Sequence, residues 1–285
     1  MTFEKIQSHA KINLFLDVLS KRQDGYHEIY SLISRIDLHD DIEIEKSNSL
    51  EIIFEGQFSS MIKSNAIEQL FKYLFKKNYL TDFPFKIKIL KNIPVGAGLG
   101  GGSSNLASLL MYLIKNKLVN EDKCLKAARE LGSDIEFFFQ TKPSFIIGKG
   151  LVDRSVEIIS EKQILLVYPF KDLSTEAVFS NNKSFVKKSD INENAISLQL
   201  EQILDVTSNS LEDSSINLCS QIKLALDFLR NHKNCQFARM TGSGSCVFAV
   251  IDNEIEASKV IQDIHSKYPD WWTKITKLIS SLQYH

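Results

Sequence analysis

The segment PVGAGLGGGSSNLASLL, residues 94–110, constrains the fold of this chain more than any other segment does. Five of the chain's twelve glycines lie between Gly96 and Gly102. Glycine loses more backbone freedom on folding than any other residue, and it brings no side chain to a core. Such a run is therefore costly to order unless a ligand approaches the backbone closely and offsets that cost.

The flanking residues place the glycine run between a strand and a helix. FKIKIL (Phe85–Leu90) alternates apolar and basic residues, which predicts a half-buried strand. Ser103, Ser104 and Asn105 are good capping residues, and apolar residues follow at helical spacing over 106–114. In a strand–loop–helix unit, free backbone amides and the positive end of the helix dipole point to one place. The sequence therefore predicts an anion site there.

Two common phosphate loops fit this segment incompletely. Gly96, Gly98 and Gly101 satisfy the dinucleotide fingerprint G-x-G-x-x-G, which also needs an acidic residue about 20 positions on that closes a second strand. That region, NKLVNEDKC, is polar and is typical of a turn between helices instead of a strand. The P-loop pattern fits from Gly96 to Ser103, except that Gly102 occupies the lysine position, which argues against a Walker-type NTPase. A purely structural glycine turn is a further alternative.

Composition narrows the class of protein. The chain has 285 residues, 44% hydrophobic and 24% charged, which is typical of a globular protein with a sizeable core. Its net charge of −1, with both signs interspersed, indicates no nucleic-acid partner. Apolar runs are short, the N-terminus lacks a signal-peptide pattern, and the four cysteines have no CxxC spacing. We expect a cytoplasmic protein with no membrane span, no protein-bound metal and no obligate protein partner.

Strands and helices alternate without a strict βαβ rhythm, which indicates an α+β fold. The early strands predicted between polar turns are HAKINLFLDVL, HEIYSLISRIDL, DIEIEK and LEIIF. SFIIGKG and the residues after it predict a hairpin. Helices are predicted at Asn65–Lys77 and Lys123–Leu131, and a third begins near Ser133. Residues 180–215 are rich in Ser, Asn and charge, so they are expected to be exposed and mobile.

Three stretches together resemble the motifs of the GHMP small-molecule kinases. They are KINLFLDVLSKRQDGYHEIYSL near the N-terminus, PVGAGLGGGSSNLA in the middle and MTGSGSCVFAV at Met240–Val250, collinear from about residue 8 to 250. The resemblance implies a two-lobed fold with the active cleft between the lobes. It places an N-terminal ATP-binding domain at residues 1–157 and a C-terminal domain at 158–285. It also implies phosphate transfer from ATP, with Mg²⁺ carried by the nucleotide.

The acceptor implied by the resemblance is a small molecule with a cytidine diphosphate group, because DGYH, GLGGGSSN and GSDIEFF are similar to the members of the family that use one. Homoserine- and mevalonate-type kinases of the same family are alternatives, although their acceptors have no base to stack. A nicotinamide-dependent oxidoreductase and a non-catalytic nucleotide-binding protein are rivals from other classes.

The nucleotide-binding residues implied by the resemblance lie mostly in the glycine run. They are Pro94, Val95, Gly96, Ala97, Gly98, Leu99, Gly100, Gly101, Gly102, Ser103 and Ser104. Asn65 and Lys91 fall where the family contacts the adenosine part. One of the two serines offers a hydroxyl to Mg²⁺, which prefers oxygen ligands; helix capping alone is the alternative for both.

The catalytic residues implied by the resemblance are Asp134 and Lys11. Asp134, in LGSDIEFFF, is by itself typical of a helix N-cap, and Ser133 and Glu136 depart from the family pattern G-A-D-x-P-F-F. The family uses this aspartate as the base and pairs it with the lysine. Lys11 interrupts an apolar strand, where a solvated edge lysine is the alternative. Asn13 shares a strand face with Lys11 and is expected to orient the substrate.

The resemblance assigns the remaining site residues to the acceptor. Tyr26 stacks on the cytosine, His27 bonds its edge, Phe179 covers the opposite face and Thr175 lies nearby. The turn TGSGS, with Gly242, Ser243 and Gly244, offers a second set of free amides to the substrate phosphates, a plain hairpin turn being the alternative. The segment NSLE at Asn209 departs from the family's N-D-L-E, and no role is carried over to it.

Overall fold

The computed structural model describes residues 4–191 and 195–282, and these form two compact units. Unit 1 contains the N-terminal residues up to Ala10 together with Leu38–Val95 and Gly100–Gln140. Unit 2 contains Lys11–Asp37, Gly96–Leu99 and the chain from Thr141 onward. The chain thus passes between the units several times, and the domain boundary after residue 157 stays a prediction.

The strands of the described ranges are numbered in chain order. They are β1 (Glu4–Lys21), β2 (His27–Lys46), β3 (Glu51–Glu55), β4 (Phe85–Leu90), β5 (Ser144–Gly148), β6 (Leu151–Ser155), β7 (Glu157–Ile159), β8 (Gln163–Tyr168), β9 (Ser197–Gln199), β10 (Phe237–Met240), β11 (Val247–Ile251) and β12 (Trp272–Thr276).

The helices are α1 (Ala66–Lys76), α2 (Gly101–Lys115), α3 (Glu121–Leu131), α4 (Thr175–Asn181), α5 (Leu200–Val206), α6 (Glu212–Leu218), α7 (Ser220–Arg230) and α8 (Glu254–Lys267). Two short 3-10 turns lie at Ser59–Met61 and Glu136–Phe139. Mixed helix and strand content confirms the α+β prediction, and in the described residues no helix is long and apolar enough to cross a membrane.

In unit 1, the strand before the glycine run forms as predicted. β4 pairs antiparallel with residues 41–46 of β2 and parallel with β3. Helix α1 agrees with its predicted range to within a residue at each end, because Asn65 caps it by accepting the Glu68 amide at 3.0 Å. Apolar side chains of β4, α1 and α2 form the core of this unit, among them Leu70, Ile87 and Leu110.

In unit 2, an antiparallel sheet has the strand order β10-β11-β8-β12. Its strands carry near-continuous apolar side chains: Leu165 and Val167 of β8 and Val247 and Ala249 of β11 belong to one buried cluster that also takes in Leu226 of α7. Residues 29–33 of β2 pair with β5, which pairs with β6 in the predicted hairpin. The TGSGS turn lies between β10 and β11 of the antiparallel sheet described first.

The predicted turn between HEIYSLISRIDL and DIEIEK is wrong, because both belong to the single strand β2. His39 and Asp40 are the polar residues between the two predicted strands. The Asp40 side chain is instead fully buried and accepts the backbone amides of Asn92 and Ile93, each at 2.8 Å. A carboxylate that finds donors inside the protein does not need a solvent-exposed turn.

The prediction that residues 180–215 are exposed is confirmed for residues 183–188 and is wrong at several positions from Leu198 onward. Residues 192–194 lie outside the described residues, and the mobility of the segment stays a prediction. β9, α5 and the start of α6 lie there, and Leu200, Ile203 and Leu211 are buried. Ser215 and Asn209 are buried as well, because each side chain makes hydrogen bonds to backbone groups. Composition indicates polarity, but a bonded polar side chain is compatible with burial.

Candidate active site

In unit 2, the first half of the glycine run packs backbone to backbone against the TGSGS turn. Gly98 has a φ of +79°, and a Cβ at this position would lie 2.7 Å from the Thr241 carbonyl oxygen and 2.9 Å from that of Gly244. The Cys246 amide donates to the Ala97 carbonyl at 3.2 Å. Only glycine fits between these carbonyls in this conformation, so the second and third motifs are joined here.

The first motif joins the same two loops. The Lys11 amide donates to the Leu99 carbonyl at 3.0 Å, and the Asn13 amide donates to Thr241 Oγ1 at 2.8 Å. Lys11 Nζ donates to Asn13 Oδ1 at 2.6 Å, and a Cβ on Gly242 would lie 3.4 Å and 3.3 Å from these two atoms. Lys11, Asn13 and Gly242 therefore meet at one point.

Lys11 is only 4% exposed, so the alternative of a solvated edge lysine is wrong. A buried ammonium needs hydrogen-bond acceptors, and Asn13 Oδ1 is one of them. Asn13 is held in place in turn, because its Nδ2 donates to Ser31 Oγ at 2.9 Å. The pair presents a positive charge and an oriented amide next to the backbone of Gly242.

The TGSGS turn uses some of its own amides. The Thr241 amide donates to the Cys246 carbonyl at 3.1 Å, and the Gly244 amide donates to the Thr241 carbonyl at 3.0 Å. The predicted contacts of this turn to a phosphate stay a prediction, and they concern the other amides, those of Gly242 and Ser243. The Ser243 hydroxyl lies 3.0 Å from Thr175 Oγ1, which brings α4 to the same turn.

Asn209 holds the TGSGS turn, although the sequence assigned it no role. Its Nδ2 donates to the carbonyl oxygens of Met240 and Gly242 at 2.9 and 2.8 Å, and its Oδ1 accepts the Leu211 amide at 3.0 Å. The side chain is 6% exposed. The surrounding Ser and Asn residues suggested exposure, and its partners in the turn lie more than thirty positions away. No local pattern indicated these contacts.

In unit 1, helix α2 begins earlier than the predicted capping serines. Gly100, with a φ of 70°, is the N-cap and provides no side-chain acceptor. Ser103 and Ser104 lie within the first turn, so the prediction that they cap the helix is wrong. The first amides of α2 therefore have no side-chain acceptor at the cap, which is the arrangement that suits an anion.

The two serines differ in what their hydroxyls do. Ser104 Oγ donates to the His9 carbonyl at 2.7 Å and accepts from Ser8 Oγ at 2.8 Å, and the residue is 2% exposed. Ser103 is half-buried. Ser103 is therefore the better candidate for a cation carried by a nucleotide.

Gly101 and Gly102 also differ. A Cβ on Gly101 would lie 2.9 Å from Ile93 Cγ2, whereas a Cβ on Gly102 would meet nothing within 4 Å. Gly101 is thus required for packing against the residues that precede the loop. Gly102 leaves the backbone open on its outer side.

Lys91 and Asn65 have structural partners in unit 1. Lys91 is 3% exposed, and its ammonium donates to the buried carboxylate of Asp40. The Asn65 side chain caps α1, as described above. Contacts from either residue to an adenosine stay a prediction.

Asp134 lies half-buried in the turn between α3 and the 3-10 turn at Glu136–Phe139. Ile135 occupies the N-cap position of this turn, and the alternative that Asp134 caps it stays a prediction. Arg129 of α3 donates to both carboxylate oxygens of Glu136 at 2.9 and 2.7 Å. This bidentate pair spans Asp134 and ties the turn to the helix, in place of the proline of the family pattern.

Aromatic side chains cluster around His27 in unit 2. The His27 ring centroid lies 5.0 Å from that of Phe179 and 6.3 Å from that of Phe185, and His27 is 9% exposed. Burial, and secondarily the Lys21 charge, lower the pKa of His27 below its ordinary value. The imidazole is therefore neutral at pH 7, with one donor and one acceptor nitrogen. Phe185, half exposed, was not predicted, since it lies in the Ser- and Asn-rich segment.

Tyr26 is 60% exposed at the tip of the β1–β2 hairpin. The Arg22 amide donates to the Tyr26 carbonyl at 2.8 Å and closes the turn. Lys149 Nζ lies 4.7 Å from the centroid of the Tyr26 ring and 3.1 Å from Asp24 Oδ2. The structure thus brings His27 to Phe179 and places Lys149 over one face of Tyr26.

Comparison with known proteins agrees with these motifs. The family described as "GHMP kinases N terminal domain" matches residues 64–143, and the family described as "GHMP kinases C terminal" matches residues 183–270. The residues between the two matches include the predicted boundary at 157.

Relatives of similar length carry the same name. A 4-diphosphocytidyl-2-C-methyl-D-erythritol kinase of Pelagibacter ubique is 36% identical over 282 residues, 96% of this chain and 99% of its own. The protein of that name from Anaplasma phagocytophilum is 33% identical, over 97% and 95%. A crystal structure of 4-(cytidine 5'-diphospho)-2C-methyl-D-erythritol kinase superposes with a TM-score of 0.76 at 26% identity, over 96% of this chain and 99% of that one.

We predict that Asn209→Asp lowers the free energy of unfolding by about 1–3 kcal/mol, because a carboxylate oxygen would replace the donor that faces two carbonyl oxygens. Urea denaturation measures the effect. Asn253→Asp is the matched control, since Asn253 caps α8 at the surface and aspartate caps equally well. Equal stabilities of the two variants would show that the Asn209 contacts do not hold the turn.

Proposed function

This chain belongs to the GHMP kinase family, and from that premise we propose that it transfers the γ-phosphate of ATP to the 2-hydroxyl of 4-diphosphocytidyl-2-C-methyl-D-erythritol. The products are the 2-phosphate and ADP, in the methylerythritol phosphate pathway of isoprenoid precursor biosynthesis. The names of its near-full-length relatives support the proposal. We expect the enzyme to act in the cytoplasm, where ATP is available.

The observation that carries the choice of acceptor is the aromatic cluster formed by His27, Phe179 and Phe185, with Tyr26 exposed on the neighbouring hairpin. Homoserine and mevalonate contain no base that such rings would stack on. Tyr26 and Phe179 bind the faces of the cytosine in our proposal. The neutral imidazole of His27 bonds the edge of the base, where its donor and acceptor nitrogens distinguish an amino group from a carbonyl.

The nucleotide binds along residues 94–104. The first amides of α2 and the positive end of its dipole face the phosphates, and the glycines allow the backbone to approach them. Ser103 is the residue we assign to the Mg²⁺ that accompanies the nucleotide, because the Ser104 hydroxyl is engaged inside the protein. Mg²⁺, when bound, neutralises charge on the phosphates. Asn65 and Lys91 are proposed on the adenosine side.

Asp134 takes the proton of the 2-hydroxyl as the general base, in a turn anchored by the Arg129–Glu136 pair. The Lys11 ammonium stabilises the charge that develops on the acceptor oxygen. Asn13 fixes the Lys11 side chain and orients the substrate. The amides of Gly242 and Ser243 bind substrate phosphate, whereas Gly244 and Thr175 shape the turn that presents them.

A coupled ADP-release assay across acceptors tests the proposal. We expect the purified chain to release ADP with 4-diphosphocytidyl-2-C-methyl-D-erythritol at least a hundredfold faster than with homoserine or mevalonate. Preference for either small alcohol would identify another kinase of the family. Absence of ADP release with every acceptor, together with NADH oxidation or ATP binding alone, would identify the oxidoreductase or the non-catalytic binding protein.

We predict that Asp134→Asn lowers kcat about 10²- to 10⁴-fold, because the amide keeps the shape of the side chain but does not accept the proton. ATP affinity and thermal stability should change little. Asp122→Asn, at an exposed position in the first turn of α3, is the control and should keep normal turnover. An Asp134→Asn enzyme retaining more than about a tenth of the normal rate would exclude Asp134 as the base.

We predict that Tyr26→Ala and Phe179→Ala each raise the Kd of the cytidylyl substrate about 5- to 150-fold, equivalent to roughly 1–3 kcal/mol per stacked base. The Kd of ATP should not change. His27→Ala should instead reduce discrimination between the CDP-linked and UDP-linked substrates. Tyr268→Ala is the control, because that ring stacks on Trp271 with a centroid distance of 3.9 Å, outside the cluster. Unchanged substrate affinity in all three variants would remove the base pocket from the proposal.

A further inference from the structure

The buried carboxylate of Asp40 has no part in the proposed chemistry, yet it accepts hydrogen bonds from both sides of the glycine run. Oδ1 accepts the amides of Asn92 and Ile93, each at 2.8 Å. Oδ2 accepts the ammonium of Lys91 and, at 3.1 Å, Nδ2 of Asn105. The relative exposure of Asp40 is 0%.

These donors flank the proposed nucleotide loop on both sides. Residues 91–93 immediately precede Pro94, and Asn105 lies in α2 immediately after Ser104. The residues on either side of the segment 94–104 therefore donate hydrogen bonds to one side chain, that of Asp40. A second contact links the same two flanks, because a Cβ on Gly101 would lie 2.9 Å from Ile93 Cγ2.

We propose that Asp40 is a positioning residue for ATP: it holds the entry and the exit of the glycine loop at a fixed separation, so that the loop is preorganised for the phosphates. The proposal rests on the function proposed above, in which this loop binds ATP. A glycine-rich loop is costly to order, and fixing both of its ends before binding removes part of that cost from the affinity.

The chemistry of the site explains why this residue is an aspartate. An ionised carboxylate is an acceptor only, and its two oxygens have sites for about four donors. Lys91 supplies the compensating charge that a buried carboxylate requires. Asparagine would keep one acceptor oxygen for the two backbone amides, but its NH₂ group would face Lys91 and Asn105, both of which are donors. In this arrangement Lys91 acts on the loop through Asp40.

The test compares Asp40→Asn with wild type by calorimetric titration of ATP in the absence of an acceptor, and of the cytidylyl substrate in separate titrations. We expect the Kd of ATP to rise tenfold or more, because the substitution displaces the glycine loop that binds ATP. The Kd of the cytidylyl substrate should stay within about threefold of the wild-type value, because that substrate binds elsewhere. A merely structural role would weaken both ligands equally or neither.

A double variant provides the rescue. Asp40→Asn combined with Asn105→Asp restores a donor and an acceptor across this contact, because the new amide at position 40 then faces a carboxylate at position 105. The amide still faces Lys91, so we expect the double variant to recover part of the ATP affinity, with a Kd at least threefold lower than that of Asp40→Asn alone. Glu43→Gln is the control, because Glu43 also lies on β2 and its carboxylate pairs with Lys5, away from residues 91–105. This variant should bind ATP normally.

Three results would overturn the proposal: unchanged ATP affinity in folded Asp40→Asn, equal losses for both ligands, or a double variant no better than the single one. If circular dichroism shows that Asp40→Asn does not fold, the ATP affinity of Asn105→Ala is measured instead, since this substitution releases only the exit of the loop. A several-fold loss of ATP affinity then supports the proposal, and no loss overturns it. Failure of the proposed function is separate: wild type would bind ATP but would not phosphorylate the cytidylyl substrate.

Discussion

The close approach of two backbone loops at Gly98 is the constraint on which the proposed site depends. With carbonyl oxygens of Thr241 and Gly244 within 3 Å of where a Cβ would lie, this position accepts glycine alone. The contact joins the second and third sequence motifs, and the Lys11 amide adds the first motif through Leu99. Residues from distant parts of the chain thereby reach one point through backbone contacts, and the side chains of Lys11 and Asn13 meet there as well.

Backbone loops of this kind are held by buried polar side chains. The side chain that does so is a hydrogen-bond donor in unit 2 and an acceptor in unit 1. In unit 2, the side-chain amide of Asn209 donates to the carbonyl oxygens of Met240, at the end of β10, and of Gly242 in the TGSGS turn. In unit 1, the carboxylate of Asp40 accepts two amides that precede the glycine run. Each side chain offers the complement of the loop groups it meets. Neither is interchangeable with its isostere, because the exchange of oxygen and NH₂ would place like groups together.

The ring cluster in unit 2 is the part of the site to which we assign selectivity for the acceptor, and it depends on side chains instead of backbone loops. His27 is buried enough that the neutral imidazole is favoured, and Phe179 and Phe185 lie next to it. Tyr26 stays exposed on a hairpin whose turn is closed by backbone hydrogen bonds. A rigid aromatic surface beside a neutral histidine suits a flat, uncharged base better than an aliphatic alcohol.

The sequence by itself determined the local structure: the strand Phe85–Leu90, the glycine loop, helix α1 and the β5–β6 hairpin follow from alternation, capping residues and turn residues within short windows. The resemblance also indicated the family. Only the tertiary structure decided that Asp40 lies inside a strand, that Asn209 is buried, and that the Ser104 hydroxyl is turned inward. The physical reason is that a polar residue is exposed or buried according to its hydrogen-bond partners. Apart from the Leu211 amide that Asn209 accepts, those partners lie from 31 to 96 positions away in the chain.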